Sequence, residues 1–587
     1  MKQRGIGIVD KKVLASNTKR ITLIGMLIGI LILLSADMGV ASACETFVYV
    51  NPGESIQEAI DSLCPQGGIV ELAAGIHNVS AWTTMPYRHP GTDTIIDVGV
   101  LVIGRGNITI KGHGIDATIV QTDDPSTTIF GIMNCTNVNI QNMKIYGNFD
   151  RYDGEVPGIN IHGIVNDSTF SDLYMENFKQ CIHLQYRYGD FDNITIKDST
   201  FVYARGGVLW LSSMNNSLIE NCNISGSASW FGLDFNTNCY NSVVRNCTSH
   251  HNANHGFRIG YSGTNNNTLE NCVAYNNQYG YIFQGSPIPP GPGNFMKGCV
   301  AYNNIDGVYI SDAYADQGLH ISNCLIYNNT EHGIGSYLWH NQNGNIWITE
   351  TTIANNGGDG INNVLPYNFY IKNSIITGNG GYGLRNTGGG SITSSYNDVG
   401  GNVLGSYKGT SAGTGDISED PLFADPDNGD FHLKSAAGRW TGSGWVLDNE
   451  TSQCIDAGDP SEKDPDGTRI NMGAYGGTWE ASKSQSHGIE TYNISGYVRY
   501  TNGSGIYNAH VTNDVTGAED YTDASGYYIL SGLTNGTYTI TASKEGFYPN
   551  SITESILGAN VENANITLTE IVDSDTKSPT ISNVSYS

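Results

Sequence analysis

Between Asn142 and Asn373 the chain repeats one alternation of apolar and polar positions every 23 to 30 residues. Each copy holds a turn residue, a small residue, an alternating stretch and a closing Asn or small polar residue. Examples are NMKIYGN from Asn142, NCNISGS from Asn221, NCVAYNN from Asn271, GCVAYNN from Gly298, NCLIYNN from Asn323 and NSIITGN from Asn373, with looser copies at Asp172 and Asp198. A β-branched run such as SVVRN or NIWITE precedes the turn. Further on comes Gly-apolar-polar-apolar, as in GLDF at Gly232, GFRI at Gly256, GYIF at Gly280 and GVYI at Gly307. Period-two alternation bounded by turn residues predicts three short strands per repeat. A leucine-rich repeat would need Leu at fixed positions, and a propeller blade about 40–45 residues. The pattern predicts an all-β chain built as a parallel β-helix, three strands to a coil.

Asn suits the turn because it tolerates left-handed backbone, and stacked copies roughly 4.8 Å apart can bond amide to amide. Cys222, Cys247, Cys272, Cys299 and Cys324 each follow the turn by one place, which predicts an inward column of small side chains. Their spacing lacks the CxxC signature of a zinc site.

The run before the repeats reads FVYVNPGESIQEAIDSLCPQGGIVELAAG from Phe47. Ser55 and Glu58 form a capping box, and Ile56, Ala59, Ile60 and Leu63 one apolar face, which predicts a helix of about ten residues closing the open end of the stack. YVNPGESIQEAID, IVELAAGIH and ITIKGHGIDATIV together resemble the opening of right-handed parallel β-helix proteins of the pectate-lyase-like superfamily. That resemblance covers roughly residues 46–400 and implies right-handed coils. Its members include polysaccharide lyases, hydrolases and epimerases as well as surface proteins without catalysis, so fold alone does not set activity.

The resulting division is a signal peptide over 1–43, a capped β-helix over 44–400, closing coils over 401–482, a polar linker over 483–491, a β-sandwich over 492–570, and a tail or truncated further module over 571–587. The sandwich segment, with SGYV, GYYILSGL and GTYTITASKEGF, resembles a carboxypeptidase-regulatory-like module, which implies a spacer or adhesive role and no peptidase chemistry. The first segment combines Lys2, Arg4, Lys11, Lys12, Lys19 and Arg20 with an apolar run from Ile21 to Leu34 and Ala41-Ser42-Ala43. Left uncleaved, it would be an anchor; otherwise the mature chain carries no membrane span. Cys44 is open to lipidation or to a disulfide with Cys64. Sequons at Asn78, Asn193, Asn266, Asn328, Asn502 and Asn565 agree with export as a glycoprotein, whereas Asn246, in the turn column, is expected to be too buried for modification.

A formal charge of −27 argues against nucleic acid and anionic membrane surfaces as partners, leaving polysaccharide or cell-envelope glycans. In β-helix carbohydrate enzymes the working surface is the outer side of the glycine-led strand. Alternation then sends Asn160, His183, Leu209, Asp234, Arg258, Ile282 and Tyr309 outward in one column, with His162 two residues along from Asn160. His183, Asp234, Arg258 and His162 carry the types a proton-abstracting lyase or epimerase needs, a base plus a cation facing a uronate carboxylate, with Asn160 and Tyr309 as binding residues. The competing reading is a cross-strand ion pair between Asp234 and Arg258. No second carboxylate accompanies Asp234, which disfavours a hydrolase. Asp425, Asp427 and Asp430 in DPDNGD resemble part of a calcium loop or, without the downstream Glu, an Asx turn. His250, His251 and His255 flank a turn without further ligands at metal spacing.

Three readings follow: an exported surface protein whose sheet binds glycans or envelope components, a polysaccharide-processing lyase or epimerase, and a structural surface-layer component.

Overall fold

The computed structural model describes residues 44–571 except 90–91, 151, 185–188, 261–262, 285–292, 312–317, 338–343, 485–490, 535 and 557–558. The expected signal peptide, most of the linker and nearly all of the tail lie outside the described residues. Among the described residues forty strands between Phe47 and Lys408 stack into one solenoid, their pairings parallel except for the antiparallel hairpin Thr83–His89 with Thr92–Ile103. A representative coil is Val243–Arg245, Thr248–His250 and His255–Ile259, each strand paired with its equivalents in the neighbouring coils.

The turn residues Asn142, Asn221, Asn246, Asn271, Asn323 and Asn373 all have left-handed backbone, with φ between 52° and 59°. The next residue points inward as expected: Cys247, Cys272, Cys299 and Cys324 are fully buried and Cys222 nearly so. Each thiol donates to a carbonyl of the preceding coil, as Cys272 Sγ does to Val244 O at 3.4 Å. Of the turn asparagines, Asn221, Asn246 and Asn271 are exposed, Asn246 contrary to the expectation that it is buried; Asn142 and Asn323 are half-buried, and Asn373 is covered by the closing segment. The turn must leave the wall to reverse the chain, so its side chain reaches solvent.

The buried ladder runs elsewhere, through Asn252, Asn277, Asn304, Asn329, Asn356, Asn379 and Asn402. Each Oδ1 after the first accepts the main-chain N–H of the preceding Asn at 3.0–3.1 Å. This ladder explains the glycine that opens the third strand. A Cβ on Gly256 would sit 2.8 Å from Gly280 O and 3.0 Å from Asn277 Nδ2, and Gly280, Gly307, Gly333 and Gly360 repeat the conflict one coil further on each time.

At the amino-terminal end the helix Ile56–Ser62 is shorter than expected, with Ser55 Oγ accepting from Glu58 N at 3.2 Å. Arg105 ends it by donating to the carbonyls of Ile60, Leu63 and Cys64. Ile56, Ala59, Ile60 and Leu63 cover the open core, and Cys44 forms a disulfide with Cys64.

The segment expected to supply closing coils does so only as far as Ile417, whose bridge to Asp398 is the last. From Phe423 the chain turns back along the side of the solenoid. Asn323 Nδ2 donates to Ala474 O and Gly476 O, Gly473 N donates to Asn373 O, and Phe431 packs on Tyr327. The stretch is rich in Asp, Gly and Pro, which cannot sustain a parallel ladder, whereas the exposed turn column offers it unspent amides. Residues from Tyr492 to Glu570 form two four-stranded sheets around Val498, Tyr528, Leu530, Ile540 and Ile566, the expected sandwich.

Candidate functional site

The outer column of the glycine-led strand is Asn160, His183, Trp210, Asp234, Arg258, Ile282 and Tyr309. Trp210 replaces the expected Leu209, which pairs with Ile182 and Leu233, because one extra residue after Gly207 shifts the coil. The column faces away from the core, yet its first half is not open. The hairpin from Thr83 lies across it, with Pro86 O accepting from Asn160 Nδ2 at 3.3 Å and the Tyr87 ring edge-on to His183 at 5.2 Å. Asn160 and Asp234 are 0% exposed and His183 3%.

Asp234 Oδ1 accepts from Arg258 Nε at 2.7 Å while Oδ2 pairs with Nη2, and the guanidinium also covers Phe231. This is the cross-strand ion pair, built into the wall. His183 and Asp234 are thus buried, while Arg258 stays partly exposed. His162 is half-buried opposite Met133, and Tyr309 stacks between Tyr279 and Tyr337. Asp425 and Asp430 pair across a hairpin, but Asp430 is taken up by His432 and Arg439 and Asp425 by Asn428. Among the described residues no group of three or more metal-ligating side chains converges, at DPDNGD or at His250, His251 and His255.

The backfolded segment creates what the coils alone lack. Where it meets the turn column a cleft of about 440 Å³ opens, lined by Glu350, Lys372, Glu462, Lys463 and Gly477 among others. Glu350 occupies a turn position held in the neighbouring coils by Gly298, Asn323 and Asn373 and keeps the left-handed backbone at φ 44°, a conformation that costs a Glu about 1–3 kcal/mol. Its Oε1 accepts from the buried Asn373 Nδ2 at 2.8 Å, and Glu462 Oε2 accepts from the same nitrogen at 2.6 Å. Sharing one amide nitrogen, at 2.8 and 2.6 Å, the two accepting carboxylate oxygens lie within hydrogen-bonding reach of the same donor.

The two acids differ in surroundings. Burial, followed by the charge of Glu462, raises Glu350 above the usual carboxylate range against the pull of Thr349, Asn373 and Lys372. Glu462 is more exposed and bonded by Lys372, which also pairs with Asp459 at 3.4 Å. Burial works against the Lys372 ammonium, but Glu462 and Asp459 outweigh it and raise its pKa. Two carboxyl groups side by side in an open cleft, the more buried one with its pKa raised, are suited to acid-assisted displacement. Sequence reasoning missed the pair because nothing periodic links Glu350 to Glu462; the sole signal was a Glu where the turn column calls for Asn.

The fold and cleft define a class, a right-handed parallel β-helix with a backfolded closing segment and an appended sandwich. Residues 132–289 match a family model described as right handed beta helix region, residues 493–569 one described as carboxypeptidase regulatory-like domain, and residues 340–458 one described as disaggregatase related. No curated protein matches the chain.

Solved structures of similar fold include the A-module of a mannuronan C-5 epimerase from Azotobacter vinelandii, at 15% identity and TM-score 0.40 over 62% of this chain and 95% of that one. A periplasmic alginate epimerase aligns at 14% identity and TM-score 0.38 over 62% and 83%, and the pectate lyase Pel9A at 14% and 0.35 over 74% and 97%. By its own strand topology the chain is a parallel β-helix protein, and its residues 493–569 match a carboxypeptidase regulatory-like domain.

Proposed function

We propose that the protein is an exported enzyme that cleaves glycosidic bonds of a polysaccharide in the cleft between its turn column and its closing segment. The observation that carries this reading is the shared hydrogen bond of Glu350 and Glu462 to Asn373 Nδ2. Glu350, whose pKa burial raises, donates its proton to the leaving glycosidic oxygen as the Glu462 carboxylate attacks the anomeric carbon. The carbon–oxygen bond breaks and a glycosyl ester forms. Glu350, now ionised, takes a proton from water, and the resulting attack frees Glu462. Lys372 and Asn373 hold the Glu462 carboxylate in place by hydrogen bonds. The stretch described as disaggregatase related supplies Glu350, Lys372 and Asn373, which suits an enzyme that loosens a glycan-held aggregate. Export is supported by the Cys44–Cys64 disulfide, since such bonds persist in oxidising compartments.

The test is incubation of the full chain with neutral and uronate polysaccharides, followed by assay of new reducing ends. Activity on at least one, lost about a thousandfold or more in Glu350→Gln and in Glu462→Gln while circular dichroism is unchanged, is the expected result. No product from any substrate, or full activity in both variants, would refute it. The buried Asp234–Arg258 pair and the sandwich favour a second reading, glycan binding or adhesion without catalysis. Retention of polysaccharide with no new ends would select it.

A further inference from the structure

The closing segment also presents three tryptophans that the cleft does not use. Arg439–Trp440 and Trp445–Val446 form a short antiparallel hairpin, closed by Thr441 N and Oγ1 donating to Gly444 O. Trp479 approaches from further along the chain. The Trp440 ring stands 5.7 Å from Trp445 at 62° and 4.9 Å from Trp479 at 68°. The three indoles form an angular corner in place of a flat patch, and Trp479 and Trp445 remain 61% and 40% exposed.

The base of this corner is stiff. Arg439 donates from Nε and Nη2 to the two oxygens of Asp448 at 3.0 and 3.1 Å, and Asp448 Oδ2 also accepts from Ser435 N at 2.9 Å. Lys483 N donates to Gly438 O, tying the strand after Trp479 to the hairpin. The Lys483 ammonium lies 4.4 Å from the Trp445 ring centre. Large aromatic rings left in water on a fixed framework represent unspent binding surface, because the ordering cost is already met.

We infer that this corner is a carbohydrate-binding subsite, separate from the cleft, that stacks an acidic sugar residue on its exposed indoles, Trp479 and Trp445, with its carboxylate toward the Lys483 ammonium beside Trp445. A pyranose offers an apolar C–H face bounded by hydroxyls, which fits exposed indole faces with the Lys483 ammonium beside them. A second copy of this chain, or a protein helix, would ask for a broad continuous apolar surface; the perpendicular rings break one up. Lys483 supplies local positive charge on a chain of net charge −27, so an anionic sugar is met here by a cation that the molecule mostly lacks.

Affinity electrophoresis of the full chain through gels containing polygalacturonate, alginate, dextran or xylan tests this. Retardation by an acidic polymer is expected, reduced about tenfold or more in apparent affinity by Trp479→Ala and less by Lys483→Gln, which should act chiefly on the acidic polymers. Trp479→Phe should restore part of the binding, and Glu350→Gln should leave it intact, so loss of catalysis and loss of this subsite are told apart. The inference is overturned if no polymer retards the chain, if Trp479→Ala migrates as the parent does, or if the substitution changes the oligomeric state measured by light scattering, which would make the corner a contact between copies.

Discussion

Replacing Asn304 by Ala tests whether the solenoid is held by its buried amide ladder. Asn304 Oδ1 accepts from Asn277 N at 3.0 Å and from Asn277 Nδ2 at 3.2 Å, and its own Nδ2 donates to Ala274 O, Tyr302 O and Asn329 Oδ1. The truncation strands the Asn277 N–H in a site without water, at about 1–3 kcal/mol, and removes further bonds worth about 1 kcal/mol each. The total is about 3–5 kcal/mol, concentrated on two or three coils. The neighbouring Asn303 is exposed with φ 54°, so Asn303→Ala meets only the left-handed penalty of about 1–2 kcal/mol, and Asn303→Gly none. Native-state hydrogen exchange reads the difference. Amides of the coils from Ser249 to Asn329 should exchange roughly a hundredfold faster or more in Asn304→Ala, against about tenfold in Asn303→Ala. Equal effects of the two alanines would refute the assignment of coil cohesion to the inner column.

Three further outcomes are expected. Arg258→Ala should cost about 3–5 kcal/mol in thermal or guanidinium unfolding by leaving Asp234 buried and uncompensated, and Asp234→Asn in that background should recover part of it. Burial raises Asp398 to about 6 and Asp464 to about 7, above the ordinary value of 3.8 that each would have unfolded. The folded state therefore holds extra protons between pH of about 4 and 7, so docking of the closing segment is most stable below that window and weakens as pH rises through it. Limited proteolysis of residues 423–484 should accordingly be faster at the alkaline end, and Asp464→Asn should flatten the dependence. The nine free cysteines are all buried, so a thiol reagent should label essentially none of them in the native chain and all nine after denaturation; fast native labelling of the column would count against the register.

The coils were legible in the sequence because each repeats a local pattern that its two neighbours reinforce. A left-handed turn, an inward Cys and a glycine with no room for a Cβ recur at one spacing, so every copy reports the same geometry. The Cys247–Cys272–Cys299 column and the outward direction of Asp234 and Arg258 followed from such repetition, and the cap from its own capping box at Ser55 and Glu58. What a single period could not convey was what covers what. The hairpin from Thr83 closes over Asn160 and His183, and the backfolded segment brings Glu462 to Glu350 and Trp479 to Trp440. These contacts occur once, between stretches with no common repeat, and their partners are chosen by the hydrogen bonds and apolar surface that the finished wall leaves unused. Local alternation thus determined the wall, while long-range docking decided where its chemistry is found.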